Sequence, residues 1–547
     1  MAALLTATAG PAAAQTALPL MKTNISPLQH LVDGRPILGG WHVVPNLGVD
    51  EFKTTGRKVT FISDVDTFSV ELDEWQTVDF GIVTAKGDTA LTRVRRLAAN
   101  PFESPDPELK EVTPSGLLSR EQAAFDIDAL LYTLTEVHPD IYSVCKQVDL
   151  LRAVNEAKAS LPDSVSKLEL FRRVAPIVSQ IGDGHTKVFF PFNDVFTKDL
   201  KRIPLFFSVK AKDVLTCRLC VDSIIPSGAR ILDINGHTAG EMLDTSLRYV
   251  SGEREHFKFS TLDEMFLAYF QMLYGADTYT VRYTEPGAKK PKEVTFPAML
   301  FQDFVPRMPH NNRQKDTQAD LPYSFSIDRA KNVALLNFRR CDNVDGMKAF
   351  ADSLFRTLRN EGIENLIIDV RQNGGGNSAV GDVLLRYVVP EPFVQMEKAL
   401  VKITAYTAKL LGSTDIRPGI RFTEIQPESY LKPLSDGEGH FRGRIYLLTS
   451  NYTFSAAASF AWAFKMTGTG CVIGEETGGM NVSYGDYLNY RMPVSRLACG
   501  ISFKRFWQFR ADEDEIHGTI PDVNVPADEA LATAFKLIKK NKKRKGR

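Results

Sequence analysis

The stretch RIYLLTSNYTFSAAASFAWAFKMTGTGCVIGEE, residues 444–476, decides the fold class. It begins with an apolar segment, passes through a short polar turn into an Ala-rich segment, and ends in a second apolar segment. A strand, a helix and a strand of these lengths predict a βαβ unit, in which the two strands run parallel. The sequence therefore favours an α/β domain.

The same alternation occurs upstream and extends the predicted sheet. NVALLNF (332–338) and NLIIDVRQ (365–372) are predicted strands, and GMKAFADSLFRTLRN (346–360) and SAVGDVLLRYV (378–388) are predicted helices. Together with residues 444–476 they predict a mostly parallel sheet in an α/β domain that covers about 320–535.

The rest of the chain predicts further domains, because 547 residues exceed what one hydrophobic core organises. Short alternating strands indicate a small all-β domain at 20–100. Two capping boxes, SREQ (119–122) and SKLE (166–169), open helices in a helical part at 115–195. SVKAKDVLTC and TYTVRYT are predicted strands of another small domain at 200–300.

Charge and hydropathy exclude several classes of partner. Formal net charge is +0, from 66 basic and 66 acidic residues, so bulk electrostatics favour neither nucleic acid nor an anionic membrane. No apolar run is long enough to predict a transmembrane segment. Residues 1–16 resemble the back half of a signal sequence without its basic start, which indicates export, to the periplasm. The basic end, 536–547, is expected to be a solvated tail.

The six cysteines are scattered and predict no disulfide framework. Cys217 and Cys220 form a CRLC pair, but a metal or redox site would need a second pair or a helix after the first cysteine. We therefore expect two strand residues. The sequence also lacks an H-E-x-x-H motif, so no metal and no organic cofactor are expected.

Ser455 lies at the start of the Ala-rich helix, in NYTFSAAASF (451–460). Backbone N–H groups at a helix N-terminus stabilise negative charge, as the oxyanion of an acyl-transfer intermediate requires. The N–H of Ala456 is a natural donor there. The structural alternative is a serine that only caps the helix, since Ser is a preferred N-cap residue.

Two glycine-containing stretches adjoin predicted strands. DVRQNGGGNSAVGD (369–382) offers close backbone approach, which an oxyanion hole or a phosphate cradle could use. It lacks the P-loop lysine, so nucleotide binding is weakly supported. IGDGHTKVFF (181–190) places His185 between a glycine turn and a strand, which suits a general base. A structural or surface histidine is the alternative.

Four motifs in this order resemble the tail-specific (C-terminal processing) family of serine proteases: GDGHT at 182–186, DVRQNGGG at 369–376, TFSAAA at 453–458 and GEETGG at 474–479. One branch of that family uses a lysine base, and the matching position here is Met480, which cannot act as one. The tricorn-like branch uses the histidine of the first motif, and His185 stands there. Gly184 replaces the serine that precedes the histidine in tricorn itself.

The resemblance implies a catalytic role for each of three side chains. Ser455 would be the nucleophile and His185 its base. Glu515, three residues before the glycine of GTIPD, would be the acid that orients the histidine, with Asp514 and His517 as rivals.

The resemblance also implies an oxyanion hole made by the N–H groups of Ala456 and Gly375, where Gly375 is chosen over Gly374 and Gly376. Two charged residues of the same stretch would hold the strand end rather than take part in chemistry. They are Asp369 and Arg371.

The fold implied is multidomain α/β: a crotonase-like (ββα) catalytic domain, the helical part carrying His185, a PDZ-like domain at 200–300 and an N-terminal β-domain as in Bacteroides-type members. The implied partner is a peptide or an unfolded protein, which a PDZ-like domain could hold by its C-terminus. Nucleic acid is not implied, and oligomerisation stays open.

Two other functions compete with an endopeptidase or carboxy-terminal processing protease. Some relatives are thought to bind peptides or lipophilic ligands without catalysis, but the presence of both Ser455 and His185 argues against this. A crotonase-like fold could also serve acyl transfer from a coenzyme A thioester, because fold alone does not decide chemistry.

Overall fold

A computed structural model gives the structure of the protein. It describes residues 20–23, 41–43, 51–55, 58–62, 65–71, 77–84, 89–96, 116–309, 321–403, 407 and 419–545. The signal-like segment, 1–16, lies outside the described residues. Among the described residues, no helix combines the length and the apolar character needed to cross a bilayer.

A six-stranded sheet lies at the centre of the predicted α/β domain. All neighbouring strands pair in parallel except the first pair, which is antiparallel. The predicted mostly parallel sheet is therefore confirmed. In spatial order the strands are Tyr323–Asp328, Val333–Phe338, Asn365–Asp369, Arg444–Thr449, Cys471–Gly474 and Val523–Asn524.

Helices cover both faces of this sheet, which explains why its strands read as continuous apolar runs. Leu366 and Ile368 point to one face, and Ile367 between them points to the other. Three predicted helices pack on the first face: Val344–Asn360, Ser378–Arg386 and Ala456–Met466. Short 3-10 turns cover Pro427–Ser429 and Asp436–Glu438.

The helix Ala530–Lys545 covers the second face. The tail predicted at 536–547 is therefore helical as far as Lys545, and the prediction of a solvated segment was wrong at Ile538, which is buried. Ala530, Ala534 and Ile538 recur every four residues and are buried against the sheet. This apolar stripe fixes the helix although most of its other residues are basic.

A second, antiparallel sheet was not predicted. Its strands, in order, are Lys187–Val188, Ala498–Gln508, Met396–Ile403 and Gly419–Glu424, and Val482–Arg491 also pairs with the second of these. Lys187 pairs with Gly500, so this sheet attaches the segment that carries His185 to the α/β domain.

The helical part begins as its capping boxes predict. Ser119 Oγ accepts the N–H of Gln122 and the Gln122 side chain accepts the N–H of Ser119, while Ser166 Oγ accepts the N–H of Glu169. The helices are Arg120–Val137, Gln147–Ala159, Lys167–Ser179 and the short Phe192–Val195. Leu118–Ser119 pairs with Ser164–Val165.

The small domain at 200–300 is an antiparallel sheet with two helices. SVKAKDVLTC is a hairpin rather than one strand, because Asp213 adopts a positive φ of 60° and turns the chain. Cys217 and Cys220 lie on a strand, as predicted, and both are free. The strands in order are Leu205–Ala211, Val214–Cys220, Arg230–Ile234, Thr278–Thr284 and Lys292–Pro297, and His237–Thr238 pairs with the third. The helices are Ala239–Leu247 and Glu255–Tyr274.

Short elements flank this domain. Lys201–Arg202 pairs with Met299–Leu300, and a short helix follows at Phe301–Phe304. Single 3-10 turns cover Val221–Ser223 and Val305–Arg307.

The described residues between 20 and 100 form strands. Thr77–Thr84 and Thr89–Arg96 form an antiparallel pair, and residues 85–88 between them lie outside the described residues. Leu20–Thr23 and Trp41–Val43 flank this hairpin, and Glu51–Thr55, Lys58–Ile62 and Thr67–Glu71 form a separate antiparallel sheet.

Candidate active site

Ser455 lies where the chain leaves the strand Arg444–Thr449 and enters the helix Ala456–Met466. Its φ of 51° and ψ of −130° are unusual for a residue with a Cβ atom, and such strain is concentrated at functional sites. The Ser455 side chain makes no capping hydrogen bond with the helix. Helix capping therefore does not account for the serine.

The hydroxyl of Ser455 meets the imidazole of His185. Ser455 Oγ lies 3.0 Å from His185 Nε2, although the two residues are 270 positions apart. This is the distance that proton transfer from a serine to a general base requires. The antiparallel sheet makes the meeting possible, because it pairs the strand after His185 with Ala498–Gln508.

Aromatic rings fix the plane of the imidazole. The His185 ring stacks on Phe454, with centroids 4.6 Å apart, and Phe454 stacks on Phe257 at 4.1 Å. A Cβ atom on Gly184 would lie 2.7 Å from atoms of both phenylalanine rings. The stack therefore requires glycine before the histidine in this chain.

Asp183 is fully buried beside His185. Its Oδ1 accepts the backbone N–H of His185 at 2.9 Å and lies 3.7 Å from His185 Nδ1. Its Oδ2 accepts the Ser502 hydroxyl at 2.6 Å and lies 3.3 Å from His138 Nε2. Burial opposes ionisation of the carboxyl, but the imidazole groups of His138 and His185 beside it hold the pKa of Asp183 well below its usual range.

The structure does not bring Glu515 to the histidine. Glu515 is exposed, and its backbone carbonyl accepts a hydrogen bond from Asn481 Nδ2. Within the described ranges, no hydrogen bond or ion pair joins the carboxylate of Glu515 to His185. The two alternatives are not paired with His185 in the described part of the chain either. Asp514 is exposed, and His517 Nδ1 contacts the carbonyl of Gly518. The carboxylate nearest Nδ1 belongs to Asp183, which the sequence signals only by its place two residues before His185.

Gly375 makes room for Ser455, and its N–H is already engaged. That N–H donates to Asn373 Oδ1 at 2.9 Å. The φ of Gly375 is +106°, and a Cβ atom there would lie 2.6 Å from Ser455 Cβ. The prediction that Gly375 supplies an oxyanion N–H therefore lacks a free donor in this conformation.

The N–H groups of Ala456 and Gly376 differ from that of Gly375. No acceptor for either is found in the described part of the chain. Both residues line the cleft that also holds Ser455 and His185, and this cleft has a volume of about 660 Å³. Two backbone donors thus face the space where a substrate carbonyl would lie.

The remaining motif residues brace the loops around the cleft. Arg371 forms an ion pair with Asp369 at 2.6 Å and also donates to the carbonyl of Ala527, so the two hold the strand end as expected. In GEETGG, Glu475 accepts the N–H groups of Asn451 and Ala527.

Three side chains near the histidine could hold a cation by distance alone. One ligand atom each from Asp183, His185 and Glu253 lie within 4.8 Å of one another. Both oxygens of Asp183 already accept hydrogen bonds, from the N–H of His185 and the hydroxyl of Ser502. A metal ion would have to compete with those donors.

Sequence comparison identifies the domain that carries Ser455. Residues 332–525 match Peptidase family S41. Residues 332–525 thus form a domain similar to those of Peptidase family S41, called the S41 domain below. A curated relative, the tail-specific protease of Haemophilus influenzae, is 22% identical over 219 residues, which cover 39% of this chain and 27% of that protein. The match thus spans little more than a quarter of the relative's length.

Solved structures extend the likeness beyond the S41 domain. Mature CPAF complexed with lactacystin has a TM-score of 0.54 at 14% identity, over 78% of this chain and 98% of that chain. Another structure of mature CPAF gives 0.53 at 14% identity, over 78% and 97%. At this identity the likeness establishes a shared fold and nothing further. Since it covers more of the chain than 332–525, the shared fold includes elements outside the S41 domain.

Proposed function

We propose that the protein is a peptidase that hydrolyses peptide bonds through an acyl-enzyme, with Ser455 as nucleophile and His185 as base. The observation that carries the proposal is the 3.0 Å separation of Ser455 Oγ and His185 Nε2 inside the cleft. The S41 domain supports the same reaction class.

Each step uses groups in the cleft. Ser455 Oγ attacks the carbonyl carbon of the scissile bond while its proton passes to His185 Nε2. The oxyanion accepts hydrogen bonds from Ala456 and, in place of Gly375, from Gly376. His185 then returns the proton to the leaving amine as the C–N bond breaks. A water molecule, deprotonated by His185, hydrolyses the acyl-enzyme and releases Ser455.

We assign orientation of the imidazole to Asp183 instead of Glu515. For Ser455 to donate to Nε2, the proton of the neutral ring must reside on Nδ1. A buried anion 3.7 Å from Nδ1 favours that tautomer and stabilises the imidazolium that forms during reaction. Glu515 is exposed, so water would screen its charge.

The substrate we propose is a peptide or an unfolded protein, since a folded chain would have to unfold locally to enter the cleft. We propose that the small domain at 200–300 is PDZ-like and holds a peptide beside its edge strand Leu205–Ala211, which packs against the helix Glu255–Tyr274. A peptide C-terminus could add to that edge. Asp263 already accepts the N–H of Val209 at 2.5 Å, so an added strand would have to displace this side chain. We also propose that the S41 domain has a crotonase-like (ββα) fold.

The competing functions give different results in simple assays. A binding protein would retain ligand without forming a covalent adduct at Ser455. A crotonase-type enzyme would consume a coenzyme A thioester. Neither function needs a histidine in contact with a strained serine.

The test is hydrolysis of an unfolded protein substrate by wild type and by Ser455→Ala, with peptide products identified by mass spectrometry. We expect cleavage by wild type and none by Ser455→Ala, with the fold retained, because Ser455 makes no capping bond to lose. Cleavage by both proteins at similar rates would reject Ser455 as the nucleophile.

A further inference from the structure

Glu253 is a partly buried acid next to the proposed catalytic pair, and the mechanism above does not use it. It lies in the small domain, two residues before the helix Glu255–Tyr274. Both of its carboxyl oxygens are buried, and no side chain among the described residues donates a hydrogen bond to them, although the backbone N–H groups of Glu253 and Gly184 lie close enough to act on the carboxyl. A buried polar group without a partner is costly, so such groups are rare unless they have a function.

His185 also has a buried ring nitrogen that is not hydrogen-bonded to any described residue. Its Nδ1 atom is also buried and also has no hydrogen-bond partner in the described part of the chain. The Glu253 carboxyl lies close by: one of its oxygens and a ring nitrogen of His185 are within 4.8 Å. Glu253 Oε2 is also 3.1 Å from the place of a Cβ atom on Gly184, the residue before the histidine. An unused donor and an unused acceptor therefore share one buried space.

We propose that Glu253 is a positioning residue for His185: as a neutral carboxylic acid it accepts the hydrogen bond of the ring nitrogen that Ser455 does not use. This rests on the proposed function for its catalytic consequence. The 4.8 Å limit on the distance between Glu253 and His185 is longer than a hydrogen bond. The two groups must therefore approach when substrate binds. Catalytic hydrogen bonds are often long before substrate is present. Asp183, 3.7 Å from Nδ1, supplies the negative charge, and Glu253 supplies the acceptor.

The surroundings of Glu253 explain why it holds a proton. Burial, and then the negative charge of Asp183, raise the pKa of Glu253 to about 8, while the backbone N–H groups of Glu253 and Gly184 and, least of all, the charge of Lys187 act in the opposite direction. The titratable groups that face the carboxyl are thus Asp183, His185 and Lys187. Arg254, next in sequence, points away and donates to the carbonyl of Ile516.

The inference links two domains. By supplying Glu253, the PDZ-like domain would help to orient His185, which pairs with Ser455 of the S41 domain. A movement of the small domain would therefore change the orientation of His185. Peptide binding to the small domain would then alter the contact between His185 and Ser455.

The first test is an NMR titration of the His185 ring, which needs no activity. In the Ser455→Ala protein with histidine-selective labelling, we expect the His185 shift to change again near pH 8, as Glu253 ionises. Adding Glu253→Gln should abolish that second step, since the amide keeps an acceptor but cannot ionise. The matched control is Glu264→Gln in the helix that follows Glu253, an exposed acid that contacts Tyr452 and should leave the step unchanged. A His185 titration identical with and without Glu253→Gln would overturn the proposal.

The second test is the pH profile of kcat/KM for the intact chain. We expect Glu253→Ala to lower kcat by about 10- to 100-fold with little change in KM, because a misplaced base costs roughly that factor. Glu253→Gln should restore most of kcat and lose the inflection near pH 8. Equal loss in both variants, with equal loss of thermal stability, would indicate a structural role only. If neither wild type nor any variant hydrolyses peptides, but the His185 titration step near pH 8 is present, the proposed function fails while the interaction between Glu253 and His185 is retained.

Discussion

Asp183 Oδ1 lies 3.7 Å from His185 Nδ1, and the same carboxylate is anchored through Oδ2 by the hydroxyl of Ser502 at 2.6 Å. The anchor keeps a full negative charge at a fixed place beside the imidazole. Sequence resemblance favours a different acid, Glu515, so the two assignments can be separated by mutation.

Asp183→Asn should lower kcat strongly, by about 10²- to 10⁴-fold, because the amide cannot stabilise the imidazolium and can favour the wrong tautomer. Glu515→Gln should stay within about threefold of wild type, since an exposed charge acts weakly. Steady-state hydrolysis of one peptide by both variants measures this. Near-normal activity of Asp183→Asn together with collapse of Glu515→Gln would return the role to Glu515.

Gly375→Ala should abolish most hydrolysis while Ser455 remains present. The added Cβ atom would stand 2.6 Å from Ser455 Cβ, and a φ of +106° is strained for alanine, so the loop must move away from the nucleophile. Gly362→Ala is a matched control: its φ is +65°, and nothing lies within 4 Å of the added atom. We expect the control to lose a little stability and no activity. Equal activity losses in the two variants would contradict a local effect at Ser455.

Gly184→Ser should disturb the histidine although it restores the residue found in tricorn. The Cβ atom would lie 2.7 Å from Phe257 and Phe454, whose stack supports the His185 ring. We expect a lower kcat, which Phe257→Leu in the same chain should partly recover by making space. Activity of Gly184→Ser equal to wild type would show that the ring stack yields easily.

Asp126→Ala should destabilise the chain without touching the active site. The buried Asp126 carboxylate accepts the N–H groups of Val494 and Ser495, both at 2.8 Å. Leaving buried N–H groups unpaired lowers the free energy of unfolding by about 1–3 kcal/mol. Urea denaturation of wild type and variant gives this difference. An unchanged midpoint would mean that water replaces the carboxylate.

Stability should also depend on pH through Glu253. Its pKa is raised to about 8 in the folded chain, by burial first and Asp183 second, while the pKa of the unfolded group stays near the ordinary value of 4.5. The folded state therefore binds one more proton between these values, and stability falls as pH rises through that window and levels off above about 8. Glu253→Gln removes the term, so its Tm relative to wild type should rise between pH 5 and pH 8. A constant Tm difference would contradict a protonated Glu253.

Much of the S41 domain was predictable because local patterns are strong there. The apolar runs around Ile367 and Leu447 and the Ala-rich helix after Ser455 each indicate one type of element. The antiparallel sheet was missed because Met396–Ile403 and Ala498–Gln508 pair across a long stretch of sequence that leaves no local periodicity. The terminal helix was missed because its basic residues outweighed the buried stripe that contains Ile538.

The candidate site was likewise predictable only in part. Ser455 and His185 could be named from motifs, since each motif places its residue at a strand or helix end. The proposed orienting acids could not, because Asp183 and the carboxyl oxygens of Glu253 differ from other acids by their burial, which a local motif does not reveal. The engagement of the Gly375 N–H could not be predicted, because its hydrogen bond to Asn373 depends on loop conformation.

The most direct test of the account is covalent labelling of the intact chain by a fluorophosphonate, with the adduct located by mass spectrometry. Wild type should carry one adduct, on Ser455, formed at a rate that falls by at least about 10²-fold in His185→Ala, because the hydroxyl then has no base. Labelling of Ser455 at the same rate in both proteins, or an adduct on another residue, would contradict the pairing of this serine with this histidine.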